Sequence, residues 1–240
     1  MIIALDAMGG DRAPLINVEG AIMAAKEVDA TIVLVGDKDI LEPLLKEHKK
    51  ETLKGSVVIV HAPEVVAMSE SPAVAVRKKR KSSIAVALEM VKNGEADAAI
   101  SAGNSGAMMA FSMFVMKRLP MVDRPAIVTV MPNTKSATVL LDAGANVDCK
   151  PIHLVQFAIM GSVYSSTLLD IKFPRVGVLS NGEEEEKGTD LTRETHYLLK
   201  KTGLNYIGYV EGRDIFNGNV DVVVCDGFVG NIVLKVAEGV

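Results

Sequence analysis

The sequence predicts an α/β protein: a three-layer α/β/α arrangement around a mostly parallel sheet. Three observations predict it. Short β-branched runs alternate with longer segments of helical period. Most of those runs are continuously apolar, as strands covered on both faces are. Aromatic residues supply only 4% of the chain and Trp is absent, so the core has to be aliphatic. Alternation of this kind builds crossover units, in which helices pack on both sides of parallel strands.

Taken in order, strands are expected at 2–6, 31–35, 56–60, 97–101, 127–131, 138–142, 175–179, 206–210 and 221–225. Between them, Leu15, Val18 and Ile22 recur at spacings of three and four, as on one face of a helix. Ile40, Leu41, Leu44 and Leu45 repeat the signal, and so do Ile84, Leu88 and Val91. A last helix is expected to open after Gly230. The 240 residues fit a single domain, 1–240, with that helix cut short and a C-terminal portion lacking.

Composition narrows the function classes. A net charge of −4 argues against nucleic-acid binding through bulk positive potential. Cys149 and Cys225 are too few for a disulfide framework, which fits a reducing, cytoplasmic compartment. Residues 1–6 read as a strand rather than a secretion signal. The apolar stretch 107–116 contains Ser112 and falls well short of the ~20 residues of a membrane span. A soluble protein is expected.

In open α/β sheets, ligands bind beyond the carboxyl ends of the strands. Five such positions here are rich in Gly, Asp, Asn and Ser: 6–11, 101–106, 142–146, 181–188 and 226–231. Glycine lets the backbone approach a ligand closely, and a helix N-terminus offers unpaired N–H groups and a positive dipole end. The candidates for binding a small anion are therefore Gly9, Gly10, Gly103, Asn104, Ser105, Gly106, Asp142, Asn146 and Gly230. For any one loop the plainer reading is a tight strand-to-helix turn. Five together favour a ligand.

Absent motifs help as well. No P-loop occurs, and no Gly-x-Gly-x-x-Gly follows a strand. His48, His61, His153 and His196 have no metal-ligand spacing, so neither a metal nor a cofactor is expected. Ser105 lacks the nucleophile-elbow pattern and suits a phosphate-contacting hydroxyl better than an acyl-enzyme nucleophile. The glutamates 183–186 read as a solvated face. Lys187 stands apart, because Gly182 and Gly188 bracket it at the end of a strand, where it could serve as a point charge.

These loops resemble those of a known family. Asp6-Ala-Met-Gly-Gly-Asp11, Ser101-Ala-Gly-Asn-Ser-Gly106 and Leu141-Asp-Ala-Gly-Ala-Asn-Val-Asp-Cys149 look like segments of the PlsX-type phosphate acyltransferase family of bacterial phospholipid synthesis. So do Gly182-Glu-Glu-Glu-Glu-Lys-Gly188, Glu211-Gly-Arg-Asp-Ile-Phe216 and Cys225-Asp-Gly-Phe-Val-Gly-Asn231, all in the family's order. The resemblance implies a reaction in which acyl-[acyl-carrier protein] and inorganic phosphate give acyl-phosphate. It further implies a fold similar to phosphotransacetylases and isocitrate-dehydrogenase-like proteins, a homodimer, and acyl carrier protein as partner. The product would supply a membrane glycerol 3-phosphate acyltransferase, with peripheral association at the inner face of the membrane. Two departures stand out: family members continue beyond the position of Val240, and the run Arg77-Lys-Lys-Arg-Lys81 is more basic than the family's pattern.

On that reading, Gly103, Asn104, Ser105 and Gly106 hold phosphate, while Lys187 and Asn231 are the catalytic pair that neutralises the attacking anion or the oxyanion. Asp6, Asp11, Asp142 and Asp226 act as turn caps or lysine-orienting groups rather than bases. Arg77, Lys78 and Lys81 are candidates for docking an acidic carrier protein, against the plainer reading of a solubilising face. Three rivals remain: a short-chain acyl-CoA phosphotransacetylase, a non-catalytic carrier-protein-binding module, and a metal-dependent dehydrogenase using Asp11, Asp142 or Asp226.

Overall fold

The computed structural model describes residues 1–48 and 51–239. Val240, included in the expected domain, lies outside the described residues. The chain forms two compact units, Met1–Lys117 and Arg118–Val240.

In the first unit, β1 (Ile2–Asp6), β2 (Thr31–Gly36), β3 (Ser56–His61) and β4 (Ala98–Ser101) form a parallel sheet in the order β3-β2-β1-β4. Its helices are α1 (Leu15–Glu27), α2 (Lys38–Glu47), α3 (Pro72–Lys78), α4 (Ser83–Lys92) and α5 (Ser105–Val115). Strand side chains alternate between faces, and β2 shows what the apolar run achieves. Ile32 and Leu34 pack with Val18, Ala21 and Leu41 of α1 and α2. Val33 and Val35 pack with Ala87 and Met90 of α4 on the opposite face. Both faces are therefore covered, and this unit is three-layered.

The second unit repeats the principle with a different order. Strands β5 (Thr129–Pro132), β6 (Ala137–Leu141), β7 (Val176–Leu179), β8 (Tyr206–Val210) and β9 (Val222–Val224) run β5-β6-β9-β7-β8. Only the β5–β6 pairing is antiparallel. The helices are α6 (Pro151–Leu168), α7 (Asp190–Leu199), α8 (Asp214–Asn217) and α9 (Gly227–Glu238). Leu141, Val178, Val222 and Val224 face Leu154 and Phe157 of α6 and Leu199 of α7. Leu140, Leu179 and Val223 face Ile215 of α8 and Val233 and Leu234 of α9. Helix α6 sits close because Gly161 has no side chain; a Cβ there would come within 2.5 Å of Val222 Cγ1.

All nine expected strands form, with ends shifted by at most two residues. One expectation is corrected. The last helix does not open after Gly230 but at Gly227, because the Asp226 carboxylate caps it, accepting from Phe228 N and Val229 N at 3.0 Å each. Gly230 therefore lies inside its first turn.

Candidate active site

In the first unit, the loops after β1 and β4 are bound to each other. Asp6, 3% exposed at the end of β1, accepts a hydrogen bond from Ser101 Oγ at 2.7 Å. Ser101 Oγ in turn accepts from Gly103 N at 3.1 Å. Gly9 must be glycine in this setting: a Cβ would stand 2.4 Å from Asp6 Oδ2 and 3.1 Å from Gly103 Cα. Gly10 adopts φ +114°, a conformation that L side chains rarely take. Asn17 on α1 locks the first loop by donating from Nδ2 to Ala7 O at 3.0 Å and Gly9 O at 2.9 Å.

Asn104 caps α5, its Oδ1 accepting from Ala107 N at 2.9 Å. Its Nδ2 points away from any ligand at the helix tip, donating to Met68 O and Glu70 O at 2.9 Å each. The side chain of Asn104 is thus a structural clamp. What this loop offers an anion is the exposed Ser105 and Gly106 at the start of α5. Among the described residues no acceptor engages their amides, and an unpaired helix N-terminus with a hydroxyl beside it suits phosphate.

The second unit assembles Asp142, Gly144, Asn146, Gly230 and Asn231. Asp142 is fully buried, and its carboxylate accepts from the amides of Ile127, Gly144, Ala145 and Asn146 and from Asn146 Nδ2. Asn146 also donates to Pro125 O and, through its own carbonyl, accepts from Gly227 N at 2.7 Å. The Asp142 carboxylate and the Asn146 amide nitrogens are thus engaged within the loop they shape, and the side-chain oxygen of half-buried Asn146 is what the pair leaves open. Gly230 lets the first turn of α9 press against it, since a Cβ there would lie 1.9 Å from Asp142 O. Asn231 is exposed and lies over Gly144, whose absent Cβ would sit 3.6 Å from Asn231 Cγ. The first-turn amides of α9 are already bonded to Asn146 and Asp226, so what this helix start leaves open beside Gly144 is the Asn231 side chain.

Lys187 is exposed, in the loop between β7 and α7. The loop closes on itself: Lys187 N donates to Glu184 O at 3.0 Å, and Gly188 N to Asn181 Oδ1 at 2.9 Å. Glu185 pairs with Lys200, just past the end of α7, and Glu183 pairs with Arg213 at 3.3 Å. Two of the four glutamates therefore tether the loop, although all four are exposed as expected of a solvated run.

Beside this loop lies a cavity of about 480 Å³ at the carboxyl ends of β7 and β9. Ser180, Asn181, Thr189, Thr192, Cys225 and Asp226 line it, with Gly188, Gly212 and Val229. Neither Lys187 nor Asn231 lines it, but each is one or two residues from a residue that does. Cys225 and Cys149 are unsuited to covalent catalysis. Burial drives both thiols upward, Cys149 to about 11, with the charges of Asp142 and Asp226 acting in the same sense. Both stay protonated near neutral pH, and the thiolate is the nucleophile.

Sequence reasoning did not single out Asn17, Asn181, Thr189, Thr192 or Gly212. Asn17 carried a signal, as a lone amide between Ile16 and Val18 on a largely apolar helix. The threonines had another: Thr189 and Thr192 are spaced as a capping pair, and they bond reciprocally at the start of α7. Among the described residues, no three or more of His, Cys, Asp and Glu are grouped to hold a metal ion, and no helix is long and apolar enough to cross a membrane. The docking candidates Arg77, Lys78 and Lys81 are all exposed at or just past the end of α3. Lys79 between them is engaged by Glu70 Oε2 at 2.6 Å and Val65 O at 2.7 Å.

Residues 1–240 match the family described as fatty acid synthesis protein. This chain belongs to that family. A phosphate acyltransferase from Syntrophotalea carbinolica is 60% identical over 240 residues, covering 100% of this chain and 68% of that protein. A phosphate acyltransferase from Geobacter sulfurreducens is 58% identical over 239 residues, with the same coverage of both. Among solved structures, the EutD phosphotransacetylase from Staphylococcus aureus superposes with a TM-score of 0.68 at 15% identity, over 100% of this chain and 82% of that one. A branched-chain phosphotransacylase from Enterococcus faecalis V583 gives a TM-score of 0.59, also at 15% identity, over 99% and 84%. These structures share the α/β/α fold with this member of the fatty acid synthesis protein family.

Proposed function

We propose that this chain is a phosphate acyltransferase that moves a fatty acyl group from acyl carrier protein to inorganic phosphate, giving acyl-phosphate for glycerol 3-phosphate acylation. The observation that carries the reading is similarity over the whole of this chain and 68% of theirs, near 60% identity, to proteins named phosphate acyltransferase. A phosphate oxygen attacks the thioester carbonyl carbon, the carbonyl becomes an oxyanion, and its collapse breaks the C–S bond and releases the carrier thiolate. A thiol of pKa about 8.5 leaves without a strong general acid. Inorganic phosphate, whose second ionisation falls near neutral pH, is already partly dianionic there and needs no dedicated base. What the protein has to supply is position and charge.

Ser105 and the amides of Ser105 and Gly106 are assigned to phosphate, and the clamp made by Asn104 presents them. Gly9, Gly10 and Gly103 allow the backbone to pack around that loop. Lys187 and Asn231 bear on the developing charge, with Asp142, Asn146 and Gly230 setting the platform on which Asn231 stands. The same reading carries a homodimer, carrier-protein docking at Arg77, Lys78 and Lys81, and a place in the cytoplasm at the inner face of the membrane beside the acyltransferase that consumes the product.

Steady-state kinetics of Lys187→Ala and Asn231→Ala test the assignment. Each is expected to lower turnover about 100- to 1000-fold, the usual cost of one preorganised donor, with the thermal midpoint retained. Near-wild-type turnover in both removes the assignment of these residues. Trapping the product with hydroxylamine reports on the reaction itself: without phosphate-dependent hydroxamate from the unmodified chain, the acyl-transfer reading fails.

A further inference from the structure

A second cavity in the Arg118–Val240 unit is more uniformly apolar than the first. It is a groove of about 560 Å³ lined by Gly212, Ile215, Phe216, Ile232, Val233 and Val236, between α8 and α9. No charged or hydroxyl side chain is among its walls. Ile215 belongs to the buried core, but Phe216, Ile232 and Val236 are 41%, 47% and 61% exposed. That leaves an apolar strip open to solvent rather than packed. A contiguous exposed apolar strip bounded by polar surface marks a binding site more often than a scattering of single residues does.

The groove adjoins the first cavity, whose walls are part polar and part apolar. Gly212 lines both. Along α9, Val229 lines the first cavity, while Ile232 and Val236, three and seven residues further on, line the groove. At 1.5 Å per residue the stripe runs roughly 10 Å along one helix face. A chemically divided ligand matches this division: a polar, reactive end among Ser180, Asn181, Thr189 and Thr192, and a hydrocarbon tail beyond Gly212. Gly212 also has open space around it, since a Cβ there would meet nothing within 4 Å.

We propose that the α8–α9 groove holds the hydrocarbon chain of the acyl substrate, with its thioester end in the first cavity, among the polar side chains next to the Lys187 loop. The inference deepens the acyl-transfer reading above and rests on it. It makes Phe216, Ile232 and Val236 chain-length-determining residues, and Gly212 the gate between head and tail.

Two measurements on the 240-residue chain test the proposal. The first compares kcat/KM for palmitoyl- and butyryl-carrier protein. Val236→Trp fills the far end of the groove at an exposed position, so the palmitoyl-to-butyryl ratio is expected to fall about tenfold or more, the scale set by methylene-sized contacts in apolar pockets. Gly212→Leu, which narrows the gate, is expected to lower the ratio in the same direction. The second uses a palmitoyl-pantetheine thioester bearing a terminal diazirine, with cross-linked peptides mapped by mass spectrometry. Cross-links within 212–237 are expected. An unchanged ratio in both variants, or cross-links confined to other segments, overturns the proposal. So does light scattering that shows Val236→Trp dissociating a dimer with the ratio unchanged, which would give the groove to a second copy. If the unmodified chain forms no acyl-phosphate, it is the acyl-transfer reading that fails, and the cross-link map still reads the groove by itself.

Discussion

Gly230 and Gly20 have the same side chain and opposite reasons for it. At Gly230 a Cβ would overlap Asp142 O at 1.9 Å and crowd Cys225 Sγ at 3.1 Å. At Gly20, in α1, it would meet nothing within 4 Å. Gly230→Ala must push α9 off the Asp142–Asn146 loop and is expected to lose about 1–3 kcal/mol, the usual cost of overpacking. Gly20→Ala is expected to gain up to about 1 kcal/mol, because helix propensity improves without strain. Urea denaturation of the two variants checks this; equal midpoints would mean that the close approach at Gly230 carries no energy. The same contrast explains what was legible at this scale. Gly, Asp and Asn at strand ends revealed where the loops would be. They did not reveal which polar groups would remain open: Asn104, Asp142 and Asn146 looked like ligand contacts, yet their hydrogen bonds are directed inward. Saturation depends on segments distant in sequence, such as Pro125 and Met68, and periodicity does not report on those.

At the scale of elements, β-branched runs located all nine strands, since a strand buried on both faces needs little beyond apolar continuity. The partition into two sheets was not legible. Strand order is set by crossovers between segments far apart in sequence, as in the insertion of β9 between β6 and β7. Helices α3 and α8 also left no periodic trace, with 7 and 4 residues respectively. Helix α7 carries a consequence for pH. His196 is 5% exposed, stacked on Tyr209 at 4.7 Å, with Nδ1 2.7 Å from Tyr206 Oη. Burial, with the charge of Lys200, holds its imidazole below the ordinary 6.5, Glu185 opposing. His153 of α6 is lowered in the same way, by burial and then Arg124. A histidine depressed in the folded state is protonated first in the unfolded chain, so its contribution is whole above 6.5 and declines as pH falls below it. Asp221 acts in a separate window. Burial raises its carboxyl, but Arg175 outweighs burial and holds it below 3.8, so that loss begins only in strong acid. The thermal midpoint is therefore expected to drop on acidification from about pH 7 to 5. His196→Phe, which keeps an aromatic stack and removes the titration, is expected to make the decline shallower. An identical slope in that variant would acquit His196.

At the scale of the whole molecule, charge is the property that local packing does not determine. The chain carries a net charge of −4, yet Arg77, Lys78, Arg80 and Lys81 put four exposed cations at and after the end of α3. Their surroundings are not those of a plain solubilising face. Lys79 is turned inward onto Glu70, and Arg80 lies over the Phe114 ring at 5.1 Å, which fixes a guanidinium in place and leaves an aromatic surface beside it. A basic cluster on an otherwise acidic body repels general contact with acidic proteins and rewards only an approach to that one patch. If an acidic carrier protein docks there, charge reversal at Arg77, Lys78 and Lys81 should raise KM for the acylated carrier about tenfold or more at low salt, since steering of this kind is worth about 10- to 1000-fold in encounter rate. Turnover at saturation should hold, because none of the three is assigned to the reacting atoms. The difference should also shrink as salt rises, with the screening length falling to about 3 Å at 1 M. Acyl-pantetheine, which lacks the acidic protein, provides the internal control: its KM should not respond to the substitutions. Equal KM values for the acylated carrier before and after charge reversal at low salt would return the cluster to its plainer role of keeping the surface solvated.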